Sequence, residues 1–423
     1  MQKILILPIF AVLIFVLSYS IHDAAATSVS WTGGGDNIHW SDPSNWDTHM
    51  VPTSGDVITI PSGTVHLNIN FTLTGSISIQ ASGMLVIDSG QTLTNSGTVT
   101  NSGKIVNNGG TITNNNLSAV DNTGTITNSG IITNHSVGNI NYPAGMINTG
   151  SMVNYPTGKI NSVGIFNNYG TINNNGTLTN DVGNSFLYNY GTINNKAGGL
   201  FENDFIVNNY HMINNSGAIN NFESIYNKES GTINNDGVLY LVGPGLDSYG
   251  FIYNNVDGTI TAQSVITNRN SGTIINSGTI HTTIGGEIDN YNIFENKAGG
   301  KINIEIGTFI INYYKLINNS GAVITNDGTI DDQCGSTFVN SGTFTGNAVM
   351  DLCLSCVAPA SGDWIVTSCK LTNDVTAPAN VIIQSEALLQ IPSGKTLHID
   401  FIHYHLLIKL HGKVLINAGG KLN

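Results

Sequence analysis

From Asn95 to Asn134 the chain repeats one phrase: Gly97, Gly103, Gly110, Gly124 and Gly130 each open a variant of Gly-Thr-Ile-Thr-Asn. In an extended strand successive side chains point to opposite faces. In Gly124-Thr125-Ile126-Thr127-Asn128 the Ile and the Asn therefore share one face, and the two Thr share the other. The phrases follow one another so closely that each strand is about four residues long and must turn at once. Asn-Ser-Gly and Asn-Asn-Gly supply that turn, because Gly reaches positive φ freely and Asn tolerates it. Such a strand cannot bury its Ile alone. The units must stack, Ile on Ile and Asn on Asn, and the predicted fold is all-β, a right-handed single-stranded parallel β-helix, or β-solenoid.

Three Gly-led strands sum to about twenty residues, the size of a three-faced coil; from Val57 to Gly346 that gives roughly fourteen coils and a rod of ~65 Å. The phrase returns at Gly170, Gly176, Gly191, Gly231, Gly258, Gly272, Gly278 and Gly328. Its spacing slips between Asn203 and Tyr210, which predicts a bulged coil there. Asn recurs at the fourth place after Gly, as at Asn101, Asn107, Asn114, Asn128, Asn174, Asn180, Asn195 and Asn276. Parity places these amides inside, where each can hydrogen-bond the amide one coil away and so fix register.

The flanks divide the chain. Lys3, the apolar run Ile4 to Leu17 and Ala24-Ala25-Ala26 read as a secretory signal peptide over 1–26, the run being shorter than the roughly 20 residues that span a bilayer. The mature chain is expected to lie outside the cell, secreted or on the surface, with no transmembrane anchor. Residues 27–54 hold Trp31, Trp40 and Trp46 with Gly33-Gly34-Gly35, and read as a plug over the first coil. Asp36, Asp42, Asp47 and Asp56 could instead hold calcium, but they lack the spacing of a calcium loop. The Asn/Gly-rich solenoid occupies 55–350.

In 351–423 a cysteine-containing junction leads to a second, short solenoid. Ile383 to Leu397 aligns without a gap on Ile79 to Leu93. Cys334, Cys353, Cys356 and Cys369 fit two disulfides of open pairing better than zinc, since only one C-x-x-C pair is present. The last strand-like run, Lys413 to Ile416, is followed by no aromatic plug, which predicts end-to-end self-association, as homo-oligomers or filaments.

Composition excludes some partners. Only 10% of residues are charged, the net charge is -13 and Arg269 is the single arginine, so the basic surface that nucleic acid requires is missing. Candidate acids for a polysaccharide-acting enzyme are Asp331-Asp332, Glu202 with Asp204, and Glu287 with Asp289, each i, i+2 pair sharing a strand face. Outward Thr pairs, Thr98/Thr100, Thr111/Thr113, Thr125/Thr127, Thr177/Thr179 and Thr259/Thr261, suggest a flat binder of ice or glycan, although outward Thr is also a plain β-former. His398, His403, His405 and His411 are weak metal candidates, with His403 and His405 alternating on one strand face. Sequons stand at Asn70, Asn116, Asn134, Asn175, Asn214 and Asn318. No catalytic residue and no cofactor is assigned.

The Trp31 to Trp46 cap, the Gly55-Asp56 strand start and the Asn/Gly phrases together resemble the secreted β-helix repeat proteins of prokaryotic cell surfaces, a class that includes filamentous-haemagglutinin-like adhesins. The resemblance implies a surface or matrix rod for adhesion or assembly, with cell-surface or matrix components, glycans among them, as partners. It brings no catalytic motif with it.

Overall fold

The computed structural model describes residues 26–115, 119–122, 125–128, 131–134, 145–181, 185–351, 355–366, 369–384, 387–410, 413–416 and 419–423. Strands of four residues follow one another around a coil, as in Phe186–Asn189, Thr192–Asn195 and Leu200–Asn203, and each pairs in parallel with its counterparts one coil below and one above. Three faces result. The third forms a sheet of 14 strands, and the first and second join into one of 28 because Val57–Leu67 and Ser76–Ile87 run through the corner between them. The chain is a β-helix repeat protein. At ~4.8 Å per coil the stack is roughly 65–70 Å long.

Parity inside the strands holds. The second and fourth residues are buried and the first and third are not, in strand after strand. Ile126 is buried, and Ile172, Ile193, Ile213 and Ile233 stack in register. The fourth-place amides form ladders. On the second face Asn154, Asn174, Asn195, Asn215, Asn235, Asn254, Asn276, Asn296 and Asn318 each donate through Nδ2 to the Oδ1 of the Asn one coil above, at 2.7 to 2.9 Å. Nδ2 also reaches the carbonyl that opens the next strand of that upper coil, as from Asn195 to Ala218 at 2.8 Å. One amide thus clamps both a face and a corner.

The first-face ladder has a gap. Asn227 donates to Ser248 Oγ at 3.0 Å, but Ser248 turns its own proton to the Gly250 carbonyl, and the buried Asn268 Oδ1 above it has no partner among the described residues. Ser248→Asn is expected to accept from Asn227 and donate to Asn268, raising stability by about 1 kcal/mol. Comparison of the two melting curves checks this; an unchanged or lower Tm would deny that the ladder is continuous in energy as well as in geometry.

One expectation needs correction. No bulge interrupts 203–210: Asp204-Phe205 makes a short turn, and Ile206–Asn209 pairs without slip on both sides. The register shift lies between Ile60 and Ser62 instead, where the strand bends around a corner.

The N-terminal segment packs as a plug, with Trp31 on Trp46 at 5.1 Å, Trp40 on Trp46 at 4.8 Å and Trp40 on Phe71 of the first coils at 4.9 Å. Its carboxylates are aimed at backbone N–H groups: Asp36 accepts from Ile38 and His39, Asp42 from Ser44, Asp47 from Ser30, and Asp56 from Thr53 and Thr27. At the other end, three parallel sheets of three strands surround a separate core around Trp364, Val381, Leu389 and Leu397. This short solenoid touches the main one where Gly335 N donates to Gln390 Oε1 at 3.2 Å, and where Lys370 pairs with Asp351. The signal-peptide reading falls almost wholly outside the described residues. Among those described, no helix is long and apolar enough to cross a membrane.

Candidate functional site

Because the inward positions are spent on the stack, any site must be built from the outward first and third residues of the strands and from the corners. Of the three acid pairs, only Glu287 and Asp289 share a strand face, on Glu287–Asn290. Asp331 and Asp332 are adjacent and point to opposite sides. Asp332 closes the first-face ladder, accepting from Asn312 at 2.6 Å and from Ser336, while burial raises the pKa of the outward Asp331. Asp204 lies in the turn after the strand that carries Glu202, so they do not share a strand face; burial and then Asp181 raise its pKa.

Asp289 is pushed up to about 6, first by burial and then by the Glu287 charge, with Arg269 opposing. A carboxyl whose pKa is raised on folding holds its proton better folded than unfolded, so its charge destabilises at pH 7 and the loss is recovered as pH falls through 6 towards 4. Asp289→Asn should therefore raise Tm at pH 7 and leave it unchanged near pH 4. Equal gains at both values would place the cause in packing rather than charge.

The Thr pairs do not make one plane. Thr98 and Thr100 lie on the first face, Thr125 and Thr127 on strands of the second, and Thr111/Thr113, Thr177/Thr179 and Thr259/Thr261 on the third. Even there Leu200/Glu202, Ala218/Asn220 and Val238/Tyr240 separate the last two pairs. The expected flat Thr array is thus broken.

The histidines are also rearranged. His398 ends the strand Thr396–His398, but His403 and His405 lie in a turn and a connection, not on a strand face. Asp400 makes that turn, accepting from Ile402 N at 3.1 Å and pairing with His403 Nδ1 at 2.8 Å. His411 lies outside the described residues, and among those described no group of three or more metal-ligating side chains forms. Cys356 and Cys369 form a disulfide across the first coil of the short solenoid, and Cys334 is disulfide-bonded as well, so the zinc alternative loses its thiolates. Cys353 lies outside the described residues.

Among the sequons, Asn70 is exposed, with its Oδ1 accepting from Thr92 N, and Asn175 is half-buried at a turn. Asn214 is a rung of an outer ladder, donating to Asn194 at 2.8 Å. Asn318 must be withdrawn as an acceptor: it is fully buried in the second-face ladder, bonded to Asn340 and the Thr343 carbonyl. Asn116 lies outside the described residues, and Asn134 ends a strand whose side chain there is likewise not described.

The most ordered outward feature was not among the expectations. At the corner between the first and second faces, the residue after the inner amide, or after Ser248 where the ladder has its gap, is Tyr169, Tyr190, Tyr210, Lys228, Tyr249, Arg269, Tyr291 and Tyr313 in successive coils. Tyr169 stacks on Tyr190 at 4.9 Å, Tyr190 on Tyr210 at 4.6 Å, and Tyr291 on Tyr313 at 4.3 Å. The two cations continue the column: Lys228 lies 6.0 Å from the Tyr210 ring, and Arg269, held by Asp247 at 2.6 Å, lies between Tyr249 and Tyr291. The signal was present as Asn-Tyr-Gly at Asn168-Tyr169-Gly170 and Asn189-Tyr190-Gly191.

No protein-family model and no curated protein matches the chain. Among solved structures, a TibC-catalysed hyper-glycosylated fragment of TibA is similar at 15% identity, over 86% of this chain and 90% of that one, with a TM-score of 0.30.

Proposed function

We propose that the chain is an extracellular or cell-surface rod that serves adhesion or assembly without catalysing a reaction, in the manner of the surface β-helix proteins that its sequence resembles. The observation that supports this most is the division of labour within each strand. The residues that recur coil after coil, Ile at the second place and Asn at the fourth, point inward and hold the stack, while the outward first and third residues change from coil to coil. A fixed interior with a varied exterior suits a stiff support that displays contact surfaces along its length. Its partners are components of a cell surface or matrix, and the export segment at 1–26 delivers it there.

The test has two parts. Immunogold labelling of producing cells should place the protein on the outer surface or in the surrounding matrix. Incubation with a panel of neutral and acidic polysaccharides should release neither reducing ends nor unsaturated sugars. Sugar release that is abolished by Glu287→Gln or Asp289→Asn would replace this reading with the enzyme alternative.

A further inference from the structure

Three consecutive coils differ in charge from the coils stacked above them. Between Ile165 and Asn214, the outward positions of the first face, the corner and the second face carry no Asp, Glu, Lys or Arg among the described residues. The coils above carry Lys228, Glu229, Asp247, Arg269, Glu287 and Asp289 over the same surface. On a chain of net charge -13, a bare patch of this kind marks a contact for something uncharged.

Aromatic rings fill its centre. Phe186, Tyr188 and Tyr190 follow one another along a single coil at 6.0 and 6.5 Å, with planes within 15° and 12°, and Tyr169 and Tyr210 lie below and above Tyr190 at 8° and 14°. Five rings thus share one orientation. Parallel rings touch at about 3.5 Å, yet strands in a sheet are ~4.8 Å apart, so stacked rings must slip and each shows a strip of its face, as shingles do. Tyr169 and Tyr190 remain 53% and 39% exposed. Beside them stand Thr171 and Thr192, then an outer amide ladder in which Asn194 donates to Asn173, Asn214 to Asn194 and Asn234 to Asn214, at 2.8 to 2.9 Å. Each of these donors carries a second N–H that the ladder does not use.

We propose that this ring cluster and the Thr–Asn columns beside it bind a neutral polysaccharide. A pyranose is amphipathic in the same way as the patch: its C–H face packs on tilted aromatic rings, and its hydroxyls exchange hydrogen bonds with amides, threonine hydroxyls and tyrosine hydroxyls. The rigid scaffold orders these groups beforehand, so little side-chain entropy is lost on binding. The inference rests on the adhesion reading and names its partner.

Affinity electrophoresis of the whole protein in native gels containing hydroxyethylcellulose, galactomannan or dextran, with polygalacturonate as the charged comparison, tests it. At least one neutral polymer should retard the wild type. Tyr190→Ala should weaken that retardation at least tenfold, Tyr190→Phe should weaken it less, and Tyr313→Ala, in the second stack, should leave it unchanged, all with equal Tm. Retardation by no neutral polymer, or retardation indifferent to both Tyr190→Ala and Tyr188→Ala, overturns the proposal. So does a Tyr190-dependent dimer in sedimentation velocity, which would assign the patch to a second copy. Surface labelling of cells that persists alongside any of these results leaves the rod reading standing.

Discussion

Ile260→Asp is expected to unfold the solenoid locally or wholly, whereas Thr259→Asp, one residue away, should change stability by less than about 1 kcal/mol. Ile260 is buried between Leu239 and Ile280 of the neighbouring coils, and the inward column it belongs to contains no cation among the described residues. The substitution removes an Ile, which alone costs about 2–5 kcal/mol, and places a carboxylate where neither water nor a partner reaches it. Thr259 faces outward between Val238 and Thr279 at the surface. Chemical denaturation of both variants gives the two values. Because each coil rests only on its neighbours, hydrogen exchange should also show protection lost first around 239–280 in the Ile260 variant. Similar stabilities for the two variants would contradict the assignment of inward and outward positions on this face.

What could be read from the sequence was what the fold repeats. Ile at the second place and Asn at the fourth recur because every coil asks the same of them, and parity alone then gives the apolar columns and the amide ladders. The Trp31 to Trp46 plug was legible for a related reason: three tryptophans in sixteen residues have no place in a four-residue strand. The exterior is not repeated, so it was read poorly. Simple alternation puts Asp204 and His403 on strands, but turns claim both, Asp400 making the turn that holds His403. Asn318 carries a sequon, but it is the fourth residue of Lys315–Asn318 and the parity that buries Asn276 buries it too. The tyrosine column escaped because it stands just outside the phrase, one residue after the strand. Corner residues keep their phase from coil to coil as strictly as strand residues do, and counting from the inner Asn would have aligned them.

Asn276→Leu tests whether the ladder is a stabilising device or merely a tolerated filling. Leucine keeps asparagine's branched heavy-atom shape, with methyl groups in place of the amide oxygen and nitrogen, and suits an apolar interior, so if hydrogen bonds added nothing the variant would be about as stable as the wild type. Asn276 accepts from Asn254 at 2.7 Å and donates to Asn296 at 2.8 Å and to the Lys301 carbonyl at 3.0 Å. Replacement leaves one buried oxygen on Asn296 and one on Lys301 without this donor, and a buried amide on Asn254 without its acceptor. An orphaned buried polar group costs about 1–3 kcal/mol, so a loss of roughly 3–5 kcal/mol is expected after some relaxation. The second N–H contact of Asn254, to the Thr279 carbonyl at 2.9 Å, survives and limits the loss on that side. Asn276→Leu combined with Asn254→Leu and Asn296→Leu should cost less than the sum of the three single changes, since the middle orphans disappear when all three rungs are apolar. Denaturation midpoints for the single and triple variants supply the comparison. Strict additivity would show that each amide acts through its backbone contacts alone, and that the ladder contributes no coupling along the rod.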